Sequence, residues 1–183
     1  CQTYAANLGK EAIWCADLSK IRPYELLERS QLSLAEVDLI VGGPPCQGFS
    51  SAGAKDWTDA RNILLQNFVE IVTSLRPTWF VMENVEGLLT ANDGLFFIEA
   101  VTRFLEAEYW VRAKKVYMER YGLPQRRKRV VIVGNLEQCA FDFPEPLYYQ
   151  YPALPLLEQY PQLTIIDAIS DLPQPSALQE VFY

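Results

Sequence analysis

The sequence contains no histidine, no closely spaced cysteine pair and no long apolar run. Its four cysteines, Cys1, Cys15, Cys46 and Cys139, never fall in a Cys-x-x-Cys spacing, which argues against a structural zinc site and against a disulfide scaffold. Reduced cysteines predict an intracellular protein, cytoplasmic in a bacterium and nuclear in a eukaryote. Because no apolar stretch approaches the ~20 residues that span a bilayer, we expect neither a membrane partner nor a signal peptide.

Positive charge is also scarce. The net charge of −7 over 183 residues argues against non-specific binding of nucleic acid by the chain as a whole. Basic residues gather at only two places, residues 114–115 and residues 126–129. Any contact with a polyanion is therefore expected there.

Strand-like and helix-like patterns alternate along the chain, and a turn at residues 122–124 then joins two final strands. Strands are predicted at residues 11–17, 37–42, 78–83, 109–118 and 127–133, and helices at 23–30, 61–75 and 164–169. A further helix, capped by Asn92 or Asp93, is predicted to run to about residue 108. This order predicts an α/β fold whose sheet is mostly parallel and ends in an antiparallel hairpin. The chain opens at Cys1 on what reads as the end of a helix, so we expect sequence upstream of it.

Side chains suited to catalysis lie near three predicted strand ends. Cys46 lies in the rigid, glycine-flanked turn 42–50, Glu83 ends the next strand, and Arg127 and Arg129 share one face of the last strand. Reacting groups gather at the carboxyl ends of strands in open α/β sheets, so we expect these groups to meet in one cleft. Taken alone, Cys46 is equally well explained as a structural cysteine in a turn.

A thiol, a carboxyl and a guanidinium together suit methylation at carbon 5 of cytosine. Thiolate addition to carbon 6 makes carbon 5 nucleophilic, which divides one difficult step into easier ones. The addition moves negative charge onto N3 and O2 of the ring, where an acid and a guanidinium would stabilise it.

The three segments, in this order, resemble the Pro-Cys-Gln, Glu-Asn-Val and Gln-x-Arg-x-Arg motifs of the cytosine-5 DNA methyltransferase family. They are Pro45-Cys46-Gln47, Glu83-Asn84-Val85 and Gln125 to Arg129, and the similarity covers about residues 1–135 together with 167–173. It implies a Rossmann-like, S-adenosylmethionine-dependent methyltransferase fold. It also implies a restriction–modification enzyme that flips a cytosine out of double-stranded DNA.

The resemblance assigns catalytic roles. It makes Cys46 the nucleophile, Glu83 the group at N3 and the exocyclic amine, Arg129 the contact to O2, and Arg127 a supporting residue. The Pro44 carbonyl would accept a hydrogen bond from the cytosine amine. Further substrate-binding candidates are Gln47, Ser50, Asn84 and Gln125.

For S-adenosylmethionine, the resemblance indicates Asp17 as the contact to the adenine amine, with Pro45 and Leu64 lining the site. Asp17 is equally well explained as a cap for the helix that follows Ser19. Both interpretations stay open at this point.

Residues 1–183 contain neither the family's Phe-x-Gly-x-Gly turn nor a recognisable target-recognition domain. We therefore expect an incomplete fold: a partial catalytic core at residues 1–140 and a Pro- and Tyr-rich connection at 141–183. The missing motifs would come from the rest of the polypeptide or from a second chain. The chain alone should bind cofactor and DNA poorly.

Two other functions fit the same motifs. A non-catalytic homologue could act as a binding or regulatory partner of an active enzyme, although intact Cys46, Glu83 and Arg129 argue against this. The family's RNA-methylating branch, which acts on tRNA, shares the same chemistry. Covalent trapping on DNA and on tRNA separates the three possibilities.

Overall fold

The computed structural model describes residues 2–9, 13–45, 63–149 and 160–172. Contacts divide the chain into two compact units. The first unit is Cys1–Lys115 with Val130–Phe141, and the second is Val116–Arg129 with Asp142–Tyr183. The functional division expected near residue 140 stays a prediction.

Four strands form the main sheet of the described chain, in the order β1-β2-β4-β3. They are β1 (Leu39–Gly42), β2 (Trp79–Val85), β3 (Trp110–Tyr117) and β4 (Lys128–Asn135). Strands β1 and β2 are parallel, with Leu39 opposite Trp79 and Gly42 opposite Met82. Their carboxyl ends therefore lie side by side, as expected from the sequence.

Strands β3 and β4 form the predicted hairpin. The Met118 N–H donates to the Arg127 carbonyl at 2.8 Å, which joins the end of β3 to the start of β4. The Leu136 N–H donates to the Thr78 carbonyl at 3.0 Å, so β4 also runs against β2. Strands β1, β2 and β3 consequently point one way and β4 points the other, which confirms the α/β prediction. In the second unit, β5 (Tyr148–Tyr149) pairs in parallel with β6 (Tyr160–Pro161).

The described helices are α1 (Gln2–Leu8), α2 (Pro23–Ser30), α3 (Ile63–Leu75), α4 (Leu95–Glu106) and α5 (Ile165–Ile169). Helix α2 begins at Pro23, whose fixed φ and missing N–H suit the first helical position, and it ends before Gln31 in the left-handed conformation. Short 3-10 turns occupy Leu18–Lys20, Leu34–Glu36, Glu86–Leu89, Ala91–Gly94 and Met118–Tyr121.

The core of the first unit forms where α3 and α4 bury their apolar stripes against β2 and β4. Phe80 of β2 is fully buried, with its ring centroid 4.1 Å from that of Phe104 and 5.1 Å from that of Tyr109. Gly134 of β4 must lack a side chain, because a Cβ there would lie 2.2 Å from the Phe80 ring. Truncating Phe80 to alanine should cost about 3–5 kcal/mol of stability, the usual cost for a buried aromatic residue. This core supports the carboxyl end of β2 that carries Glu83.

Three local predictions were wrong. The described residues 13–17 of the expected first strand have no regular structure, and the backbone there leads into the 3-10 turn at Leu18–Lys20. Helix α4 begins at Leu95 after Gly94 and is not capped by Asn92 or Asp93, because these two residues take positive φ values of 49° and 54°. Cys15 is exposed and disulfide-bonded, contrary to the expectation of reduced cysteines.

Candidate active site

The turn after β1 brings the chain to Cys46. Gly42 ends β1 against helix α3, and a Cβ at this position would lie 2.3 Å from the Phe68 ring. Only glycine therefore lets the strand end approach the helix this closely. Pro45 is the last described residue before Cys46. Cys46, Gln47 and Ser50 themselves lie outside the described residues, so their roles stay predictions.

Glu83 lies against this same turn. A Cβ built on Gly43 would be 3.4 Å from Glu83 Oε2, so the carboxylate packs directly over the Gly43 backbone. Gly43 precedes Cys46 by three residues, and Glu83 is half-buried near the end of β2. The parallel pairing of β1 with β2 produces this approach. The structure thus brings the predicted acid against Gly43, three residues before the predicted nucleophile in the sequence.

The neighbouring Asn84 is buried, with 4% of its surface exposed. Its Nδ2 donates to the Pro44 carbonyl at 3.1 Å, and its Oδ1 accepts from the Val85 N–H at 2.8 Å. Pro44 is half-buried in the same turn. Asn84 therefore fastens the end of β2 to the residue that precedes Pro45.

A cavity of about 460 Å³ lies beside the turn, within the first unit. All three cofactor candidates, Asp17, Pro45 and Leu64, line it. Its other walls are mostly apolar: Ala16, Leu18, Leu26, Ile40, Val41, Gly42, Gly43, Pro44, Phe68 and Ile71. An apolar cavity of this size with a single acidic group is typical of sites for small organic ligands.

Asp17 both caps a turn and lines the cavity. Its Oδ1 accepts hydrogen bonds from the Ser19 hydroxyl at 2.7 Å and the Ser19 N–H at 3.0 Å, and Lys20 Nζ lies 3.2 Å from its Oδ2. The Ser19 hydroxyl, the Ser19 N–H and then Lys20 lower the pKa of Asp17 below its ordinary value. The cap found in the structure therefore keeps a negative charge at the edge of the cavity, and it does not exclude a cofactor role.

Asn67 holds the segment that carries Asp17, and nothing in the sequence had singled it out. Its Nδ2 donates to the Leu18 carbonyl at 3.1 Å, across 49 residues of sequence. The only signal in the sequence was an asparagine, a weak helix former, in the apolar helix that carries Leu64 and Phe68.

The predicted arginines lie at the start of β4: Arg127 immediately precedes the strand, Arg129 is its second residue, and both belong to the second unit. The Arg127 carbonyl accepts a hydrogen bond from the Met118 N–H, and the Arg127 N–H donates to Glu119 Oε2 at 3.4 Å. Arg129 Nη1 donates to the Lys128 carbonyl at 2.7 Å. Gln125 and Arg127 are exposed and Arg129 is half-buried. Arg129 and Glu83 belong to different units, and their meeting stays a prediction.

Aromatic and cationic side chains meet around Tyr117 in the second unit. The Arg120 guanidinium lies 5.1 Å from the Tyr117 ring centroid, and Lys128 Nζ lies 5.8 Å from it. Both contacts are within cation–π range. Arg120 and Lys128 therefore add positive charge next to Arg127 and Arg129.

Within residues 2–9, 13–45, 63–149 and 160–172, no three His, Cys, Asp or Glu side chains are grouped to hold a metal ion. In the same residues, no helix combines the length and the apolar character needed to cross a membrane.

Comparison with known proteins gives concordant matches. The family model described as C-5 cytosine-specific DNA methylase matches residues 1–182. The chain is 36% identical over 180 residues to the type II methyltransferase M1.HphI of Haemophilus parahaemolyticus, covering 97% of this chain and 45% of that protein. It is 33% identical to M.AquIA of Picosynechococcus sp., covering 97% and 79% respectively. The chain thus spans under half of the first relative and most of the second.

Solved structures share the fold. A DNA modification methyltransferase encoded within a prophage of E. coli aligns with a TM-score of 0.62 and 26% identity, covering 86% of this chain and 41% of that one. The Entamoeba histolytica methyltransferase EhMeth aligns with a TM-score of 0.59 and 21% identity over 74% of this chain and 41% of that one, a similarity of fold.

Proposed function

Because this chain belongs to the C-5 cytosine-specific DNA methylase family, we propose that it carries the catalytic part of an S-adenosylmethionine-dependent DNA cytosine-5 methyltransferase. One observation carries the proposal: the Glu83 carboxylate packs on the turn that leads to Cys46. The cavity lined by Asp17, Pro45 and Leu64 opens beside that turn. The activity proposed is that of the whole enzyme, since the chain spans only 45% of M1.HphI.

The cavity suits S-adenosylmethionine. Its volume of about 460 Å³ lies within the usual range of roughly 300–1,000 Å³ for small-molecule sites. Apolar walls suit the faces of an adenine ring, and the Asp17 carboxylate would accept a hydrogen bond from its amine. Leu64 and Pro45 would line the ligand. When bound, the cofactor supplies a methyl group attached to a positively charged sulfur.

Cys46 would open the reaction. Its thiolate forms a bond to carbon 6 of a flipped cytosine, and the electron pair of the carbon 5–carbon 6 double bond becomes available at carbon 5. Glu83 would hydrogen-bond N3 and the exocyclic amine, and Arg129, supported by Arg127, would stabilise the charge at O2. After carbon 5 has accepted the methyl group, whose bonding electron pair would stay on the cofactor sulfur, a base such as a water molecule would take the carbon 5 proton. The released electron pair restores the double bond and expels the Cys46 thiolate.

Double-stranded DNA is the proposed substrate, within a restriction–modification system. The relatives named type II methyltransferases support this choice. Extruding the base is necessary because a stacked cytosine does not expose carbon 6 to a thiolate.

Covalent trapping tests the proposal. The full-length protein, given S-adenosylmethionine and DNA in which 5-fluorocytosine replaces cytosine throughout, should form a denaturant-stable adduct. Fluorine at carbon 5 cannot leave as a proton would, so the sulfur–carbon bond persists. Cys46→Ala should abolish the adduct, and Cys139→Ala, a cysteine outside the motifs, should leave it intact.

Other outcomes redirect the assignment. An adduct on fluorinated tRNA but not on DNA would identify an RNA methyltransferase. The absence of an adduct on either, from a protein that binds S-adenosylmethionine, would favour a non-catalytic partner.

A further inference from the structure

Asn84, a substrate-binding candidate in the sequence, is a buried polar residue next to Glu83. It follows Phe80 and Met82, both fully buried, on the inner face of β2, so its amide is shielded from water. A buried amide must find hydrogen-bond partners, and this one finds the Pro44 carbonyl and the Val85 N–H. Partners within the chain favour a role in holding the site over direct contact with a base.

Pro44 is an effective place to hold this turn. Pro45 fixes its own φ, lacks an N–H, and restricts Pro44 to extended conformations. Few torsions therefore separate the Pro44 carbonyl from Cys46. A donor that fixes this carbonyl restricts the direction from which the thiol approaches. The Glu83 carboxylate packs on Gly43 of the same turn, so acid and turn are held from the same end of β2.

We propose that Asn84 is a positioning residue that sets the Pro44 carbonyl and, through Pro45, the attack geometry of Cys46. The inference rests on the proposed function. A carbonyl oxygen has two lone pairs, so Pro44 can accept from Asn84 and from the cytosine amine together. Asn84 would thereby also support the choice of cytosine over uracil, whose oxygen at carbon 4 cannot donate.

The test substitutes Asn84→Asp, which keeps the shape and the acceptor for Val85 but replaces the donor with a carboxylate oxygen facing the Pro44 carbonyl. The rate of adduct formation should fall about 100-fold, because misplacing a reacting group by about 1 Å typically has an effect of this size. The S-adenosylmethionine Kd should stay within about twofold, because the cavity walls are unchanged. The preference for 5-fluorocytosine over 5-fluorouracil DNA should also shrink.

Asn67→Asp is the matched control. It removes an equivalent amide donor, but from the Leu18 carbonyl beside Asp17. It should weaken S-adenosylmethionine binding and leave the adduct rate at saturating cofactor near that of the wild type. The two variants thus separate positioning of the nucleophile from support of the cofactor site.

The outcomes distinguish failure of the proposed function from failure of the positioning role. No adduct from the wild type would reject the proposed function itself. A wild-type adduct matched in rate by Asn84→Asp would reject the positioning role alone. If Asn84→Asp lowers Tm and loses cofactor binding, the neutral Asn84→Ser is measured instead. Should Asn84→Ser trap at the wild-type rate, or lose cofactor binding as well, Asn84 is structural and the inference fails.

Discussion

Two regions hold their proposed functional groups in opposite ways. One is the cleft of the first unit, which comprises the cavity lined by Asp17 and the adjoining contact of Glu83 with Gly43; the other is the basic segment Val116–Arg129 of the second unit. In the cleft, Glu83 packs on the Gly43 backbone, and Asp17 accepts hydrogen bonds from Ser19 and pairs with Lys20. In the segment Val116–Arg129, five basic residues face a single acid, Glu119, in a chain of net charge −7. The cleft is organised by packing, whereas the basic segment concentrates charge.

This difference indicates what each region is ready to bind. An apolar cavity with one acid suits a small ligand with a few polar groups, and its affinity depends on exact placement. Clustered arginines suit a polyanion, and their contribution depends on charge and ionic strength. Substitutions in the cleft should therefore alter rates and ligand affinity steeply, while those in the basic segment should alter salt dependence.

The largest effect is expected from Glu83→Gln. It keeps the size of the side chain and removes its acid function, so single-turnover methylation should fall by about 100-fold or more, as for other general acids. Rapid-quench measurement with labelled S-adenosylmethionine checks this. Glu86→Gln is the control, because Glu86 lies three residues further along and pairs with Lys115. Equal losses from the two variants would contradict a special role for Glu83.

Asp17→Asn should have the next largest effect. Asparagine still accepts the Ser19 N–H and keeps the cap, but it loses the charge offered to an adenine amine. The S-adenosylmethionine Kd should rise about tenfold, the value of one hydrogen bond to a charged group. Isothermal titration measures it. Lys20→Gln removes the ion pair but leaves the Asp17 carboxylate in place. If this variant weakens S-adenosylmethionine binding as much as Asp17→Asn does, the ion pair and not the carboxylate determines the affinity.

Tyr109→Phe addresses the core beneath the cleft. Tyr109 is buried, its hydroxyl donates to the Pro77 carbonyl at 2.8 Å, and burial raises its pKa from 10.0 to about 12. Removing the hydroxyl should cost about 1–3 kcal/mol in the free energy of unfolding at pH 7, because the buried Pro77 carbonyl loses its donor.

The pH dependence has a definite sign. Tyr109 keeps its proton to higher pH in the folded state, so its contribution is fully present below pH 10 and is lost as the pH rises through about 12. The shift of two pKa units corresponds to about 3 kcal/mol. Urea unfolding from pH 9 to 12 should therefore show a steeper loss of stability in the wild type than in Tyr109→Phe. Parallel curves would show that Tyr109 does not carry this dependence.

The smallest effect is expected from Arg126→Gln, in the basic segment. Losing one phosphate contact should reduce the slope of log K against log salt by about one, which is roughly a threefold difference between 50 and 200 mM salt. Fluorescence anisotropy with duplex DNA measures the slope. Arg22→Gln, an exposed arginine of the first unit paired with Glu25, should leave it unchanged. Equal slopes for Arg126→Gln and the wild type would show that Arg126 does not contact a DNA phosphate.

Much of this organisation could be predicted from local patterns. Helix α3 followed from apolar residues at intervals of three and four, and β2 from a continuous apolar run after Pro77. The strand predicted at residues 11–17 was wrong because an apolar run forms a strand only where another strand pairs with it. No described strand pairs with residues 13–17. The start of α4 was wrong because Asn92 and Asp93, good caps in sequence, tolerate the left-handed conformation and take it here.

The sequence alone determined which chemical groups the chain carries and the order in which they occur, because motifs and periodicity are properties of neighbouring residues. The tertiary structure decided which groups meet. Parallel pairing of β1 with β2 brings Glu83 to Gly43 and the Asn84 amide to Pro44 across 40 residues, and the packing of α3 brings Leu64 to the cavity of Asp17. Such partners are selected by sheet order and burial, which no short stretch of sequence encodes.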